Sequence, residues 1–417
     1  MTSIIRLVLR IFIVGVGILP AFAQVACTTR AKTELYAAIG PELVQYDLDL
    51  NAATLTKRSS VNVPEDIQEG AVLKTEQSQE YLYVAWSDGG PVNGVIPPGP
   101  HDHHGINAFG IDPASGVLLS DGAPAKLPAR PVFITADTSG THILAASPIP
   151  SSLNVIKILP DGTLGAAVPE PANLDFGVFA HQVRADPSGK TIILTTRGNA
   201  STNESPGDPG AIKIFSYKDG VLGNLKSIAP GGGLDYQVRH FDFDPSGKWV
   251  YADLEKQSRI HVYRRMPDGT LSSEPLFVRS TLMKPTPAGT GQASSIHVHP
   301  KGKFVYVANR ATGGHGENTI AVFSINERTG EPTLIQSIAT QGVEPRTFTL
   351  DSCGAILAVA NQQAGTIQDA AGTSTTVPAS IALFRIGNDG RLEFARKYDL
   401  ETTPGRSLFW IRAVTLP

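Results

Sequence analysis

Charge is scarce in this sequence, and positive charge is nowhere concentrated. Of the 417 residues only 18% are Asp, Glu, Lys or Arg, the formal net charge is −3, and the sequence contains no basic run or stripe. A protein that binds nucleic acid through its phosphates needs a basic surface of that kind. The composition therefore excludes nucleic acid as an expected partner.

Long hydrophobic runs are also missing, except at the N-terminus. In "MTSIIRLVLRIFIVGVGILPAFAQ" two arginines precede the apolar run 11–19, and the small-x-small triplet "AFA" ends at Ala23. This order is typical of a secretory signal peptide, so residues 1–23 are predicted to be removed and the mature chain to be periplasmic or extracellular. Because the run is short for a membrane span, no stable membrane insertion is expected after cleavage. A retained anchor helix is the alternative.

Turn-forming residues, by contrast, are abundant. The chain has 41 Gly and 31 Pro with 41% hydrophobic residues, which is enough to bury a large core. Many short turn signals between apolar runs favour an all-β fold. No Pro/Ser-rich linker divides the sequence into separate domains.

A strand–turn–strand hairpin recurs along the chain. "HQVRADPSGKTIILTTR", "RHFDFDPSGKWVYADLE" and "SSIHVHPKGKFVYVANR" are three of five clear copies. Each copy is followed by a third strand, a second turn such as "PDGTL", and a fourth strand. "NAATL" and "PASGVL" add two earlier units, which makes seven. The glycines of the five hairpin turns lie 49–58 residues apart, at Gly140, Gly189, Gly247, Gly302 and Gly354.

Seven four-stranded units, each too small to bury its own faces, must pack on one another. Radial packing closes them into a seven-bladed β-propeller with four-stranded antiparallel blades. The strand Arg406–Val414 follows the last unit and is predicted to join the first blade as its inner strand, which closes the ring. The predicted organisation is an extension over residues 24–34 followed by a propeller over residues 35–417, expected to be monomeric.

Polar residues mark the strand ends of several blades. In a propeller the first strand of each blade lines the central channel, so its start and the end of the second strand reach the same face. Arginine, histidine and glutamate gathered there suit an anionic ligand and acid–base chemistry. Ordered water with satisfied backbone groups is the alternative for any single residue. The residues predicted to meet at this mouth are His181, Arg239, His240, Glu255, His297, Arg310, Arg346, Asn361 and Gln362.

The hairpins as a set resemble a known family. "VRHFDFDPSGKWVYADLE", "FVYVANR" and "EPRTFTLDSCGAILAVANQ" are similar to the lactonase family of seven-bladed propellers. That family includes the 6-phosphogluconolactonase type and the fungal 3-carboxy-cis,cis-muconate lactonising enzymes. The resemblance implies catalytic roles for His181, Arg239, Glu255 and Arg310, and it implies no metal or other cofactor.

The function that follows is hydrolysis of a small anionic lactone, such as a sugar-acid lactone. His181 or Glu255 would deprotonate the attacking water, while Arg239 and Arg310 would stabilise the oxyanion and hold an acid group of the substrate. Two alternatives remain open at this stage. The same residues could serve a carboxy-muconate-type cycloisomerase, or the propeller could bind a carboxylate ligand or a partner without catalysis.

A histidine-rich insert lies in the second unit. In "PGPHDHHG", His101, His103 and His104 are close enough in sequence to share a transition metal. Because a short histidine cluster in a loop is usually only solvated, the prediction is that no metal binds.

Only two cysteines are present, and export would permit them to pair. Cys353 lies in the inner turn of the seventh unit, and Cys27 precedes the first strands of the unit beside it in the ring. A disulfide between them is predicted, with two free thiols as the alternative. The segment "QVAC" before Cys27 also leaves lipoprotein anchoring open.

Overall fold

The structure is a computed structural model that describes residues 31–74, 79–90, 99–283, 292–311, 316–368, 374–402 and 406–417. In these ranges the only helical element is the short 3₁₀ turn Pro230–Gly232. No helix in them is long and apolar enough to cross a membrane. The predicted signal peptide and Cys27 lie outside the described residues. The all-β class predicted from the turn signals is confirmed.

Seven four-stranded antiparallel sheets form the blades, and the chain builds them in order. The first blade consists of β1 (Thr33–Ile39), β2 (Glu42–Asp49), β3 (Thr54–Asn62) and the last strand of the chain, β30 (Leu408–Thr415). The second consists of β4 (Ile67–Lys74), β5 (Glu80–Ser87), β6 (His104–Ile111) and β7 (Leu118–Lys126). The third consists of β8 (Phe133–Ala136), β9 (His142–Pro148), β10 (Ser151–Ile158) and β11 (Leu164–Ala167).

The remaining four blades follow the same plan, with the strand nearest the channel first. The fourth consists of β12 (Ala180–Ala185), β13 (Thr191–Thr196), β14 (Ala211–Lys218) and β15 (Val221–Ile228). The fifth consists of β16 (Val238–Phe243), β17 (Trp249–Leu254), β18 (Arg259–Arg264) and β19 (Phe277–Ser280). The sixth consists of β20 (Gln292–Val298), β21 (Phe304–Arg310), β22 (Thr319–Ile325) and β23 (Pro332–Ala339). The seventh consists of β24 (Val343–Leu350), β25 (Ile356–Gln363), β28 (Ser380–Ile386) and β29 (Leu392–Asp399), with the small hairpin β26 (Gly365–Gln368) and β27 (Ser374–Val377) inserted.

The C-terminal strand closes the ring as the sequence predicted. Strand β30 pairs antiparallel with β1, with Tyr36 opposite Arg412, and the sheet order is β3-β2-β1-β30. The first blade therefore combines the two ends of the propeller. Its β1 packs on the seventh blade, where Leu35 belongs to the same buried cluster as Leu383.

Burial between blades supplies the core. The described residues form seven clusters of buried apolar side chains, one between each pair of neighbouring blades. For example, Tyr251 and Val262 of the fifth blade pack against Val305 and Val307 of the sixth. Strands alternate their side chains between two faces, so each blade buries both faces only when its neighbours are in place.

The hairpin turns explain why glycine recurs at one position. All five predicted turn glycines have φ between +67° and +72°, a left-handed conformation that favours glycine. An aspartate before the turn accepts its backbone N–H groups, as Asp244 Oδ1 does from Trp249 at 2.7 Å. In the sixth blade His299 replaces that aspartate. Its Nδ1 accepts from Lys301 N at 3.0 Å, so the turn keeps its side-chain acceptor.

In four blades, a tyrosine on the second strand from the channel bonds its blade to the next. The hydroxyl of Tyr251 donates to the carbonyl of Gly330, in the outer turn of the following blade, at 2.9 Å. Tyr36, Tyr83 and Tyr306 make the equivalent bond at 2.5, 2.8 and 3.0 Å. The outer turns therefore supply an acceptor to the neighbouring blade as well as reversing the chain.

Candidate functional site

Most inner strands break their pairing register close to where they begin. In β12, Ala180 pairs with Thr196 and Val183 pairs with Leu194, so two residues face one on the partner strand. Such β-bulges redirect side chains and are common beside active sites. The described pairings contain the same break in six blades, and the residues it leaves unpaired on the inner strands include Gln68, His181, Arg239, Ser294, Arg346 and Phe409. The predicted catalytic histidine and arginine both occupy such bulges.

A buried carboxylate stands at the centre of the redirected side chains. Glu255 follows β17, is 3% exposed, and accepts hydrogen bonds from Arg197 Nη1 at 2.6 Å and Arg310 Nη2 at 2.5 Å. Arg239 Nε lies 3.9 Å from the same carboxylate. Burial alone would raise the pKa of Glu255, but the arginines lower it to about 2. The group therefore stays ionised, with both oxygens engaged.

Arg239 is held in place from two sides. Its Nη1 donates to the carbonyl of Ser294 on the sixth blade and lies 3.0 Å from Nδ1 of His240. Burial, followed by the charge of Arg310, lowers the pKa of Arg239 to about 10. The guanidinium is still positively charged at neutral pH.

His181 adds a neutral imidazole to this group. Its ring centroid lies 4.9 Å from that of His240 in an edge-on contact, and its Nδ1 has no hydrogen-bond partner among the described residues. Burial first, and then Arg239, lowers the pKa of His181 well below its usual value. We refer to His181, Arg197, Arg239, Glu255 and Arg310 as the Glu255 cluster. The structure thus brings the four predicted catalytic residues together.

Two members of the site were not predicted from the sequence. Arg197 occupies the same repeat position as Glu255 and Arg310, so an alignment of the repeats would have revealed it. Asp253 stands where two of the other blades have Ala308 and Ala360, and a carboxylate there is equally visible in such an alignment.

Asp253 is fully buried opposite the bulge of β16. Its Oδ1 accepts the backbone N–H of His240 at 2.6 Å, while Oδ2 has no partner among the described residues. Burial raises the pKa of Asp253 to about 7. The carboxyl group therefore fills the gap that the bulge leaves in the ladder and fixes the backbone next to Arg239.

Two further arginines face the same region from other blades. Arg346 lies over the ring of Phe409 with 3.9 Å to its centroid, and Arg130 Nε donates to Gln68 Oε1 at 2.9 Å. Neither has a carboxylate within 4.0 Å in the described ranges. Burial, and then Arg239, Arg310 and Arg130, lowers the pKa of Arg346. Arg130 precedes β8 rather than lying in it. The prediction considered only residues at the start of a first strand or the end of a second strand, so it did not include Arg130.

His240 and His297 extend the site down the channel. His240 contacts the Glu255 cluster through Arg239. His297 lies deeper, where its Nδ1 is 3.8 Å from Asp242 Oδ2 and its ring meets the edge of Phe348 at 4.9 Å. His297 pairs with Tyr306, four residues along β21 from Arg310, so it lies away from the strand end where Arg310 binds Glu255.

Asn361 and Gln362 are buried at the end of β25. Asn361 Nδ2 donates to Thr340 O at 2.9 Å and contacts Ser380 Oγ at 3.1 Å, so its amide joins segments of the ring. Gln362 Oε1 has no hydrogen-bond partner in the part of the chain that is described. A role for either residue in substrate binding stays a prediction.

The three histidines of the insert do not converge on one point. His101 Nδ1 contacts Asp88 O at 3.0 Å, His103 Nδ1 contacts Glu65 at 2.7 Å, and His104 Nδ1 contacts Ser87 Oγ at 2.8 Å. Within the described ranges, no group of three or more His, Cys, Asp or Glu side chains is placed to hold a metal ion.

Cys353, in the hairpin turn of the seventh blade, is disulfide-bonded. Its predicted partner, Cys27, lies outside the described residues, so the pairing between the two stays a prediction.

Comparison with known proteins gives consistent similarities. A family model described as "Lactonase, 7-bladed beta-propeller" matches residues 25–376. The 6-phosphogluconolactonase of Bacillus subtilis (strain 168) is 29% identical over 294 residues, covering 67% of this chain and 78% of that protein. The 6-phosphogluconolactonase of Yersinia pestis (strain Pestoides F) is 24% identical over 370 residues, covering 87% and 91%.

Solved structures share the fold at low sequence identity. The periplasmic gluconolactonase of Pseudomonas aeruginosa superposes with a TM-score of 0.67 and 17% identity, covering 93% of this chain and 100% of that one. A protein from Lactobacillus plantarum gives a TM-score of 0.68 with 21% identity, covering 92% and 99%. These two likenesses support the seven-bladed architecture.

Proposed function

Because the chain belongs to the family of seven-bladed β-propeller lactonases, we propose that it hydrolyses a lactone that carries an anionic group, at the Glu255 cluster. One observation carries the proposal. Five arginines, each from a different blade, face this region, and three of them, Arg197, Arg239 and Arg310, lie within 4.0 Å of the ionised carboxylate of Glu255. The site therefore holds a large excess of positive charge, and guanidinium groups bind carboxylate or phosphate through paired N–H donors. The five are Arg130, Arg197, Arg239, Arg310 and Arg346.

The geometry favours His181 over Glu255 as the base. Both oxygens of Glu255 are bound by arginines and its pKa is about 2, so it has little tendency to take a proton. His181 is neutral, and one ring nitrogen has no partner among the described residues. A neutral imidazole is a common general base. Glu255 instead fixes Arg197 and Arg310 in position.

Ring opening then follows from these roles. The water oxygen bonds to the lactone carbonyl carbon while His181 takes a proton from the water. Arg239 and Arg310 stabilise the negative charge that grows on the carbonyl oxygen. When the bond from the carbonyl carbon to the ring oxygen breaks, His181 returns the proton to that oxygen as it becomes a hydroxyl. The product is a hydroxy acid, which releases one proton as it ionises at neutral pH.

We expect the purified chain to release acid from lactones at constant pH, and anionic lactones to be preferred. The panel is gluconolactone, its 6-phosphate and a muconolactone-type compound, each corrected for spontaneous hydrolysis.

Arg346→Met should raise KM for a charged lactone by about tenfold or more, because the variant loses a charge-assisted hydrogen bond to the anionic group of the substrate. KM for uncharged gluconolactone should change little. Arg328→Met, on an exposed outer turn, is the matched control. No acid release above background by folded protein would contradict the proposal.

We also propose that residues 1–23 direct export of the chain and are then removed. The support is the sequence pattern of two arginines, an apolar run and "AFA". A periplasmic or secreted product should begin at Gln24, which intact-mass measurement of the fractionated protein would show. A protein that retains Met1 and stays in the cytosolic fraction would contradict this proposal.

A further inference from the structure

A large cavity lies in the central channel, beyond His240 as seen from the Glu255 cluster. It encloses about 670 Å³, and the inner strands of all seven blades line it. None of the five residues of the Glu255 cluster is part of this lining. The cavity extends to the opposite face, where Asp137 and Asp351 belong to the hairpin turns. It therefore lies next to the proposed catalytic site and meets it at the His240 end.

One level of this cavity is polar around most of its circumference. Six of the seven inner strands place a polar or charged side chain there, and the second blade places an alanine. We call these residues the channel ring: Thr135, Arg184, Asp242, His297, Thr349 and Arg412.

The one acidic member of the channel ring is fully engaged. Asp242 pairs with Arg184, and its two oxygens accept the backbone N–H groups of Phe243 and Val298, each at 2.9 Å. Burial alone would raise the pKa of Asp242, but Arg184 and His297 hold it well below its usual range. The charge of Arg184 is therefore balanced inside the ring.

Arg412 makes no ion pair among the described residues, and Glu69 and Asp242 act on its charge only from a longer distance. The Arg412 side chain extends into the cavity. It is therefore exposed even though it lies within the channel. No carboxylate lies within 4.0 Å of it among the described residues. Arg412 therefore offers a full set of guanidinium donors to the cavity.

Glu69 of the second blade faces the same space. Its carboxyl accepts the backbone N–H of Gly70 at 3.3 Å and is close to the indole of Trp410. Burial raises the pKa of Glu69 to about 8, so the group carries a proton at neutral pH. It therefore adds a neutral hydrogen-bond donor beside Arg412 rather than a second negative charge.

We infer that the channel cavity is a second ligand site, which binds a small hydroxylated monocarboxylate with its carboxylate on Arg412. One arginine without an ion-pair partner among the described residues matches one carboxylate. Thr135, Thr349 and His297 can exchange hydrogen bonds with several hydroxyl groups. The volume is that of a small-molecule site rather than of a single inorganic anion.

The inference rests on the proposed function only for the source of this ligand. Hydrolysis of a sugar lactone at the Glu255 cluster would produce an open-chain hydroxy acid of the required class. The acid would form at the His240 end of the cavity, so the channel site could retain product after turnover.

Titration calorimetry with gluconate as the probe tests the inference. Arg412→Met should weaken gluconate binding by about tenfold or more, because a charge-assisted contact is lost. It should leave kcat/KM for lactone hydrolysis within about twofold, since Arg412 lies outside the Glu255 cluster. Arg259→Met, an exposed arginine of β18, should change neither value. An unchanged gluconate affinity in Arg412→Met would overturn the inference, and so would inorganic phosphate displacing gluconate with equal affinity.

A second variant covers the case in which Arg412→Met does not fold. Arg412→Lys keeps the charge but not the planar fork, so it should bind gluconate with intermediate affinity, and wild-type affinity would count against the assignment. The two proposals can fail separately. Gluconate binding that depends on Arg412 in a chain without lactonase activity would contradict only the proposed function. Lactonase activity without such binding would contradict only the channel site.

Discussion

Replacing Glu255 with glutamine is expected to lower the free energy of unfolding by about 3–5 kcal/mol at neutral pH, as when one partner of a buried ion pair is removed. Glu255 is the carboxylate shared by Arg197, Arg310 and Arg239, and its side chain is 4% exposed. Glutamine keeps the shape but leaves three neighbouring guanidinium groups without their counter-charge. Denaturant unfolding of both proteins would measure the difference.

The matched control for this variant is Glu331→Gln. Glu331 pairs with Arg279 where both side chains are 40% exposed, so its loss should cost about 1 kcal/mol or less. Because the pKa of Glu255 is lower in the folded protein, its contribution is present above pH 4.5 and is lost as pH falls toward about 2. The difference in the free energy of unfolding between wild type and Glu255→Gln should therefore become smaller as the pH is lowered. A difference in unfolding free energy that does not change with pH would contradict the assignment of this stability to the ionised carboxylate of Glu255.

Replacing His181 with glutamine should lower kcat for lactone hydrolysis by about 10²- to 10⁴-fold, the usual contribution of a general base. KM should change far less, because the arginines that hold the anionic group remain. Initial rates of acid release at constant pH measure both constants. Full retention of kcat would show that His181 is not the base.

The pH dependence provides an independent check on His181. Burial and Arg239 lower the pKa of this histidine, so it stays neutral well below pH 6.5. The base is active when neutral, so kcat/KM should remain level from neutral pH downward and fall only well below pH 6.5. An acid limb centred at or above pH 6.5 would contradict the assignment. His103→Gln, an exposed histidine outside the cluster, should leave the profile unchanged.

The fold was predictable because its period is set by local turn chemistry. Gly302 and its four equivalents need a positive φ, and a tyrosine that bonds to the next blade recurs on the second strand from the channel in four blades. These requirements appear at fixed positions in the repeat, so the sequence alone indicates seven blades. The closing role of β30 follows because no other strand is left to complete the first blade.

The site was predictable only in part, because bulges change which side chain points where. Counting alternate residues back from a hairpin turn gives the wrong facing for residues beyond a bulge. The rule that strand ends share a face grouped Arg239 with Glu255, which lie 3.9 Å apart. It also grouped His297 with Arg310, although His297 pairs with Tyr306, four residues along β21 from Arg310. It also missed Asp253, whose importance depends on the gap opposite the bulge of β16.

The closing strand has a consequence for how the protein is made. Phe409, which supports Arg346, and Arg412 both belong to β30, which follows all the other described strands in the sequence. A growing chain on the ribosome can therefore complete six blades while both proposed anion sites still lack a wall. Binding competence should appear in a single late step, when residues 408–415 pair with β1. A nascent chain that stops before this segment would be largely folded but unable to bind its ligand.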